Sequence, residues 1–474
     1  MRGRWPFVVL LIVVACAPAF AQATRQPDWR AVEPETLQHF QALLRLDTSN
    51  PPGNEKLATD YLKGVFEKEG IPVQIFAREP NRANLVVRLK GNGRKQPLLL
   101  MGHTDVVTVD PKKWTFPPFS ATRNEGYIYA RGSLDDKPHV VAGLMTMLML
   151  KRLNVPLDRD VIFLAEAGEE SGGGVGVDFM ANVHYADIGA EYCLAEGGSV
   201  TRIGGRPLYA SVQTMEKIPR PVDLTVKGTS GHGSRPLRDN AVVQLATAVG
   251  KIGSWYAPIR FNETTRTYFQ RLAGVSSPQE AARYKGILAP ASPEVKAADE
   301  YFQLNVPGHA SMLRTSISAT IINGGYRFNV IPSEAKATLD VRMLPDEKPE
   351  EFLQTIKKVI NNPAVEVTWS TAVDPRPANT TTSRLDNEAF KAIEAGVKKH
   401  YETVTVPEMG TGATDMSQLR AKGIQCYGIG PAADREDPLK GFGAHSDQER
   451  IIENELYRFV QFQWDVVNDL ARTK

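Results

Sequence analysis

Two histidines and a series of carboxylates, spread over most of the chain, are the residues able to do chemistry. His103 and Asp105 stand at the end of the apolar run from Leu98 to Val107. Asp135 and Asp136 come next, in Leu134-Asp-Asp-Lys137. Glu169-Glu170 precede a glycine stretch, Glu196 precedes Gly197-Gly198, and His445-Ser-Asp-Gln-Glu449 closes the set. Each member sits at the end of a strand-like run or beside glycine, where an α/β sheet gathers a site. Imidazoles and carboxylates in this number suit a pair of divalent ions, zinc first, with one carboxylate shared.

Taken singly, each group also has a duller reading. His103 and Asp105 are two apart in an extended segment, so their side chains share a face. One of them binds metal while the other holds the imidazole's second nitrogen, or they are a core histidine beside a capping aspartate. Asp135 precedes an expected helix and suits a capping role. Its two oxygens equally suit a bridge between ions about 3.5–4 Å apart. Of the adjacent acids Glu169 and Glu170, one can bind metal while the other takes a proton from water, or both are solvated turn residues. His39, His139, His184, His309 and His400 read as structural or exposed. No Gly-x-Ser-x-Gly elbow is present, and no phosphate-binding glycine motif.

Alternating strands and helices must position these groups. Helical periodicity covers Glu35 to Leu46 and about Glu55 to Gly70. Strand-like runs follow at Val73 to Ala77, Asn84 to Leu89 and Pro97 to Met101. A buried helix is expected from Val140 to Leu153, with short strands at Val161 to Ala165 and Tyr192 to Ala195. This pattern predicts an α/β domain with a mostly parallel sheet flanked by helices. Near residue 215 it changes to half-exposed strands around a helix from Asn240 to Ile252, which predicts an inserted α+β unit with an antiparallel sheet of its own. Residues 254 to 315 are polar and interrupted by prolines, and no element is assigned to them. The expected division is 22–214 and 346–474 for the catalytic domain and 215–345 for the insert, which would act as lid and dimerisation unit.

Of the 474 residues, 42% are hydrophobic and 23% charged, and the net charge is +2. These are ordinary values for a globular protein, and they favour neither nucleic acid nor an anionic membrane as partner. Residues 1–21 read as a signal peptide: Arg2 and Arg4, a short apolar stretch, then Ala19-Phe-Ala21 as cleavage site. The expected address is periplasmic or extracellular, with a lipid anchor at Cys16 as the alternative. Cys193 and Cys426 are expected to be buried free thiols.

The ordered motifs GHTDVV, Trp114 with Pro117-Pro-Phe119, YARGSLDDK, EESGG, AEGG, SGHGSRP, NVIP and AHSDQE resemble those of the co-catalytic zinc exopeptidases and amidohydrolases. That family includes bacterial glutamate carboxypeptidase, aminoacylase-1 and acetylornithine deacetylase. The likeness covers nearly the whole mature chain and leans towards the carboxypeptidase S and N-acyl-amino-acid hydrolase branch. It implies two zinc ions, with manganese or cobalt as substitutes. His103, Asp135 and Glu196 would hold one ion; Asp135, Glu170 and His445 would hold the other. Asp105 would orient His103, and Glu169 would be the general base. His232 would reach a partner's site in a homodimer and stabilise the oxyanion. Asn329 would contact substrate and Arg376 would grip its free carboxylate, with Arg342 as the second candidate for that grip. The implied reaction is hydrolysis of a C-terminal peptide bond or an N-acyl-amino-acid amide. An aminopeptidase or dipeptidase, and a non-catalytic peptide-binding protein, are the alternatives. Pro138 replaces the glycine many relatives carry, at a helix start where proline is tolerated.

Overall fold

The computed structural model describes residues 26–170, 174–289, 292–371, 377 and 382–473. The expected leader, Cys16 and Arg376 lie outside the described residues.

An eight-stranded sheet forms the centre of the molecule. Its order is Val404–Gly410, Arg206–Glu216, Gln425–Asp434, Tyr192–Ile203, Leu98–His103, Val161–Glu166, Arg82–Leu89 and Val73–Glu79. The inner pairs are parallel: Gln425–Asp434 on Tyr192–Ile203, and Leu98–His103 between Tyr192–Ile203 and Val161–Glu166. Arg206–Glu216 also runs parallel to Val404–Gly410. Antiparallel strands appear at the Val73–Glu79 edge and at the Arg206–Glu216 contact with Gln425–Asp434.

The strands Leu98–His103 and Val161–Glu166 are buried along their whole length. Such strands read as continuous apolar runs because both faces of the sheet are covered. One covering helix, Lys137–Arg152, is apolar on nearly every side, since it is wedged between the sheet and the helices Trp29–Leu44 and Glu453–Ala471. Gly143 permits this close approach: a Cβ there would stand 2.3 Å from the Phe163 ring. Pro138 occupies the first turn of the helix, where its missing N–H costs nothing.

A second, antiparallel sheet with its own apolar core contains Ile218–Pro219, Val222–Lys227, Ser316–Gly324, Glu334–Met343 and Val365–Trp369. The helices Ala241–Gly253 and Pro349–Ile360 pack on it. The sequence set the return to the first unit at residue 346. Val365–Trp369 instead pairs with Val222–Lys227, so the inserted sheet uses chain beyond that boundary.

The stretch left without elements folds as four helices: Glu263–Val275, Pro278–Leu288, Pro293–Asn305 and Pro307–Met312. Its prolines open helices rather than break them, because an N-terminal N–H has no intrahelical partner to lose. These helices enclose a third core with Met215, Val406 and Met409 of the main sheet.

Candidate metal centre

The loops after the parallel strands bring the acidic and imidazole groups together. His103 ends its strand fully buried, and its Nδ1 lies 3.0 Å from the Asp105 carbonyl and 3.5 Å from the Asp105 carboxylate. Those acceptors hold the proton on Nδ1, leaving the Nε2 lone pair for a metal. Of the two Asp105 groups that meet the ring, the main-chain carbonyl is the nearer. The Asp105 carboxylate also accepts from Glu169 N–H at 3.2 Å, Glu170 N–H at 3.1 Å and Asn50 Nδ2 at 2.8 Å. Burial opposes this charge, but His103 and the other donors hold the carboxyl below its usual range.

Asp135 faces both histidines with different oxygens. Its Oδ1 is 2.9 Å from His103 Nε2, and its Oδ2 is 3.1 Å from His445 Nε2. Glu170 Oε1 is 2.9 Å from the same His445 nitrogen, and Glu196 Oε2 is 3.8 Å from His103 Nε2. The two triads of the sequence reading therefore share Asp135. The donor atoms of His103, Asp136 and Glu196 also lie within 4.8 Å of one another. Asp136 is nevertheless a brace, because one oxygen accepts from the His103 N–H and the other meets His139 Nδ1. His139 is buried, with Nε2 3.0 Å from the Ile429 carbonyl; an acidic companion for it was not foreseen.

The charge balance fits divalent cations. Burial and then the Glu169 charge push the Glu196 carboxyl well above its usual range. Hydrogen bonds donated to the Asp135 and Glu170 carboxylates raise the His445 imidazole to about 10. A cleft that holds protons this firmly on its imidazoles attracts positive charge, and metal ions compete for the same lone pairs.

Two further loops are tied to this centre. Glu449 accepts from the Leu134 and Asp135 N–H groups at 2.7 and 3.2 Å and pairs with Arg131 at 2.7 Å. Lys137 is fully buried and donates to the Leu43 and Leu46 carbonyls, both at 2.9 Å; burial lowers its amine to about 8. Across the site, Glu216 accepts from Thr414 N–H and Oγ1 and pairs with buried Arg420 at 2.9 Å, which holds the Gly410–Asp415 turn. Arg131, Lys137 and Glu449 stand inside motifs visible in the sequence, but their pairings join distant segments. Nothing in the sequence marks Asn50, Glu216 or Arg420.

The cleft has a volume of about 1290 Å³ and lies between the two units. Asp135, Glu169, Glu170, Glu196 and His445 form one wall, and Arg342 and Asp340 stand on the insert's side. Arg342 forks onto Asp340 at 2.8 and 3.2 Å. His232 and Asn329 are not among the residues lining the cleft. His232 is exposed on the short strand Gly231–His232, which pairs with Val330–Ile331 next to Asn329. Ser234 donates to His232 Nδ1 through N–H at 3.1 Å, so the neutral ring carries its proton on Nε2.

Comparison with known proteins gives the family and the fold. Residues 99–469 match the model of peptidase family M20/M25/M40. A probable carboxypeptidase S-like 2 of Dictyostelium discoideum is 30% identical over 428 residues, 87% of this chain and 79% of that protein. The human N-fatty-acyl-amino acid synthase/hydrolase PM20D1 is 30% identical over 384 residues, 79% of this chain and 74% of its own. The crystal structure of the metallo-carboxypeptidase Sso-CP2 from Sulfolobus solfataricus superposes with a TM-score of 0.69 at 22% identity, covering 91% of this chain and 98% of that one. The chain belongs to peptidase family M20/M25/M40 and is a hydrolytic enzyme of its carboxypeptidase or aminoacylase type.

Proposed function

We propose that this enzyme is exported and releases an amino acid by hydrolysing a C-terminal peptide bond or an N-acyl-amino-acid amide, with two divalent ions, zinc first, held by His103, Asp135, Glu170, Glu196 and His445. The observation that carries this reading is Asp135, which presents one oxygen to each imidazole. When bound, the ions supply a Lewis acid for the scissile carbonyl and bring a water's pKa towards about 7. Glu169 takes the water's proton and hands it to the leaving amine. Its backbone N–H donates to Asp105, which places it in the cleft wall. Arg342, on the opposite side of the cleft, is suited to pair with the substrate carboxylate, since a guanidinium can offer two parallel N–H groups. Arg376 and Asn329 keep their proposed roles as substrate contacts.

The same reading includes a homodimer through the insert. Ile321 and Ile322 on the Ser316–Gly324 edge strand are 53% and 58% exposed, and Phe328 in the following loop is 99% exposed. Apolar edge strands favour pairing with another chain. A second copy seated there would bring His232, with its Nε2–H free to donate, to the partner's developing oxyanion.

Matched assays with N-acyl amino acids, C-terminally free N-blocked dipeptides and unblocked dipeptides test the substrate class. Turnover is expected on the first two. A strict need for a free α-amine would make the enzyme an aminopeptidase or dipeptidase instead.

A further inference from the structure

Where the chain passes from the Arg206–Glu216 strand into the insert, one residue is buried without a counter-charge of its own. Lys217 is fully buried, and its Nζ donates to the Ser311 carbonyl at 2.9 Å, Ser311 Oγ at 3.0 Å and Ser316 Oγ at 2.6 Å. All three acceptors are neutral. Burial and then the Arg342 and Arg314 charges push this amine down to about 7, with Asp340 acting the other way. Both guanidinia are themselves engaged: Arg342 with Asp340, and Arg314 with Asp299. Three cations thus share two carboxylates at this spot. Glu347, the next acid along, is taken by Arg260 and by Thr315 Oγ1.

A cavity of about 250 Å³ lies on the far side of Lys217's serine partners, lined by Ser311, Ser316, Arg314, Trp255 and Tyr256 among others. Two of its polar groups have unspent hydrogen-bonding capacity. Arg314 Nε is buried without an acceptor. Ser311 Oγ and Ser316 Oγ both accept from Lys217 and lie 3.1 Å apart. One hydroxyl proton satisfies that contact, and the other has no acceptor among the described residues. Buried donors and charges are stable when matched, and the group that would match these is a single-charged acceptor. The aromatic side chains of Trp255 and Tyr256 call for an apolar body behind it. The volume is below the range usual for drug-sized ligands, about 300–1,000 Å³, and suits a fragment of one ring or a short chain.

We propose that this cavity binds a small organic monocarboxylate, with its carboxylate towards Ser311, Ser316 and Arg314 in front of Lys217 and its apolar part against Trp255 and Tyr256. The site is separate from the catalytic cleft. Because Lys217 stands at the crossing between the units while the serines belong to the insert, an occupant also ties the insert to the crossing.

Calorimetric titration of the full chain with benzoate at pH 6, with benzamide as the uncharged control, tests the site. One benzoate per chain is expected to bind saturably, benzamide at least tenfold more weakly. Repeating the titration after chelation separates this site from the metal centre: binding here persists without metal. Lys217→Met is expected to weaken benzoate at least tenfold with an unchanged circular dichroism spectrum. If that variant fails to fold, Ser316→Ala is expected to weaken it at least threefold. The proposal is overturned by the absence of saturable binding, by equal affinity for benzamide, by loss of binding on chelation, or by full affinity in either folded variant.

Discussion

Asp105 holds three parts of the centre at once: the His103 ring, the Glu169–Glu170 turn and, through Asn50, the loop after the first helix. That turn is held to Asp105 by the backbone N–H groups of Glu169 and Glu170, bonds that an isosteric change of the Glu169 side chain does not remove. Glu169→Gln is therefore expected to lower kcat by about 10²–10⁴-fold, the usual contribution of a positioned proton carrier. Metal content, measured by elemental analysis, should stay at the wild-type level; normal turnover would remove Glu169 from the reaction. The proposed ligands could be picked out in the sequence because each falls in a short motif of acids, histidines and glycines. Their supports could not. Asn50 and Asp105 are 55 positions apart, and Arg131 and Glu449 are 318 apart. Such pairs are set by the fold, and no local pattern announces them.

At the scale of elements, the strand Tyr192–Ile203 continues past Ala195, where the sequence placed its end. The glycines responsible for that reading serve close packing instead: a Cβ on Gly198 would stand 2.1 Å from the Ser211 carbonyl. The four helices opened by Pro278, Pro293, Pro307 and the Asn262 cap were illegible for a similar reason, since proline marks a helix start and a break with the same letter. Within them, His309 lies among the rings of Tyr268, Phe269, Tyr284 and Phe302. Burial, helped by Arg435 and opposed by Glu280, lowers its imidazole to about 4. An unfolded histidine titrates near 6.5. Between those values the unfolded chain binds a proton that the folded chain refuses, so stability is lost as pH falls from about 6.5 towards 4. In thermal melts, His309→Phe should show a smaller fall in Tm over that interval than the wild type. An equal fall in both would show that His309 is not held neutral.

Over the whole molecule, two units with separate cores face one another across the cleft, the insert contributing Arg342 and the catalytic unit the proposed ligands. His232 and most of the Ser316–Gly324 edge are exposed, as the proposed shared site requires. If sites are shared, His232→Ala and Glu169→Gln, each inactive alone, should recover roughly a quarter of wild-type activity when mixed and allowed to exchange subunits, because a two-fold dimer of one of each keeps one intact site. No recovery, or a monomer that is fully active, would remove His232 from the shared site. In the proposed reaction, two divalent cations would be held with Asp135 as their shared ligand. Elemental analysis of the purified, active enzyme tests it most directly. Two divalent ions per chain are expected, with activity lost on chelation and regained on adding the metal back; a metal-free preparation with full activity would contradict it.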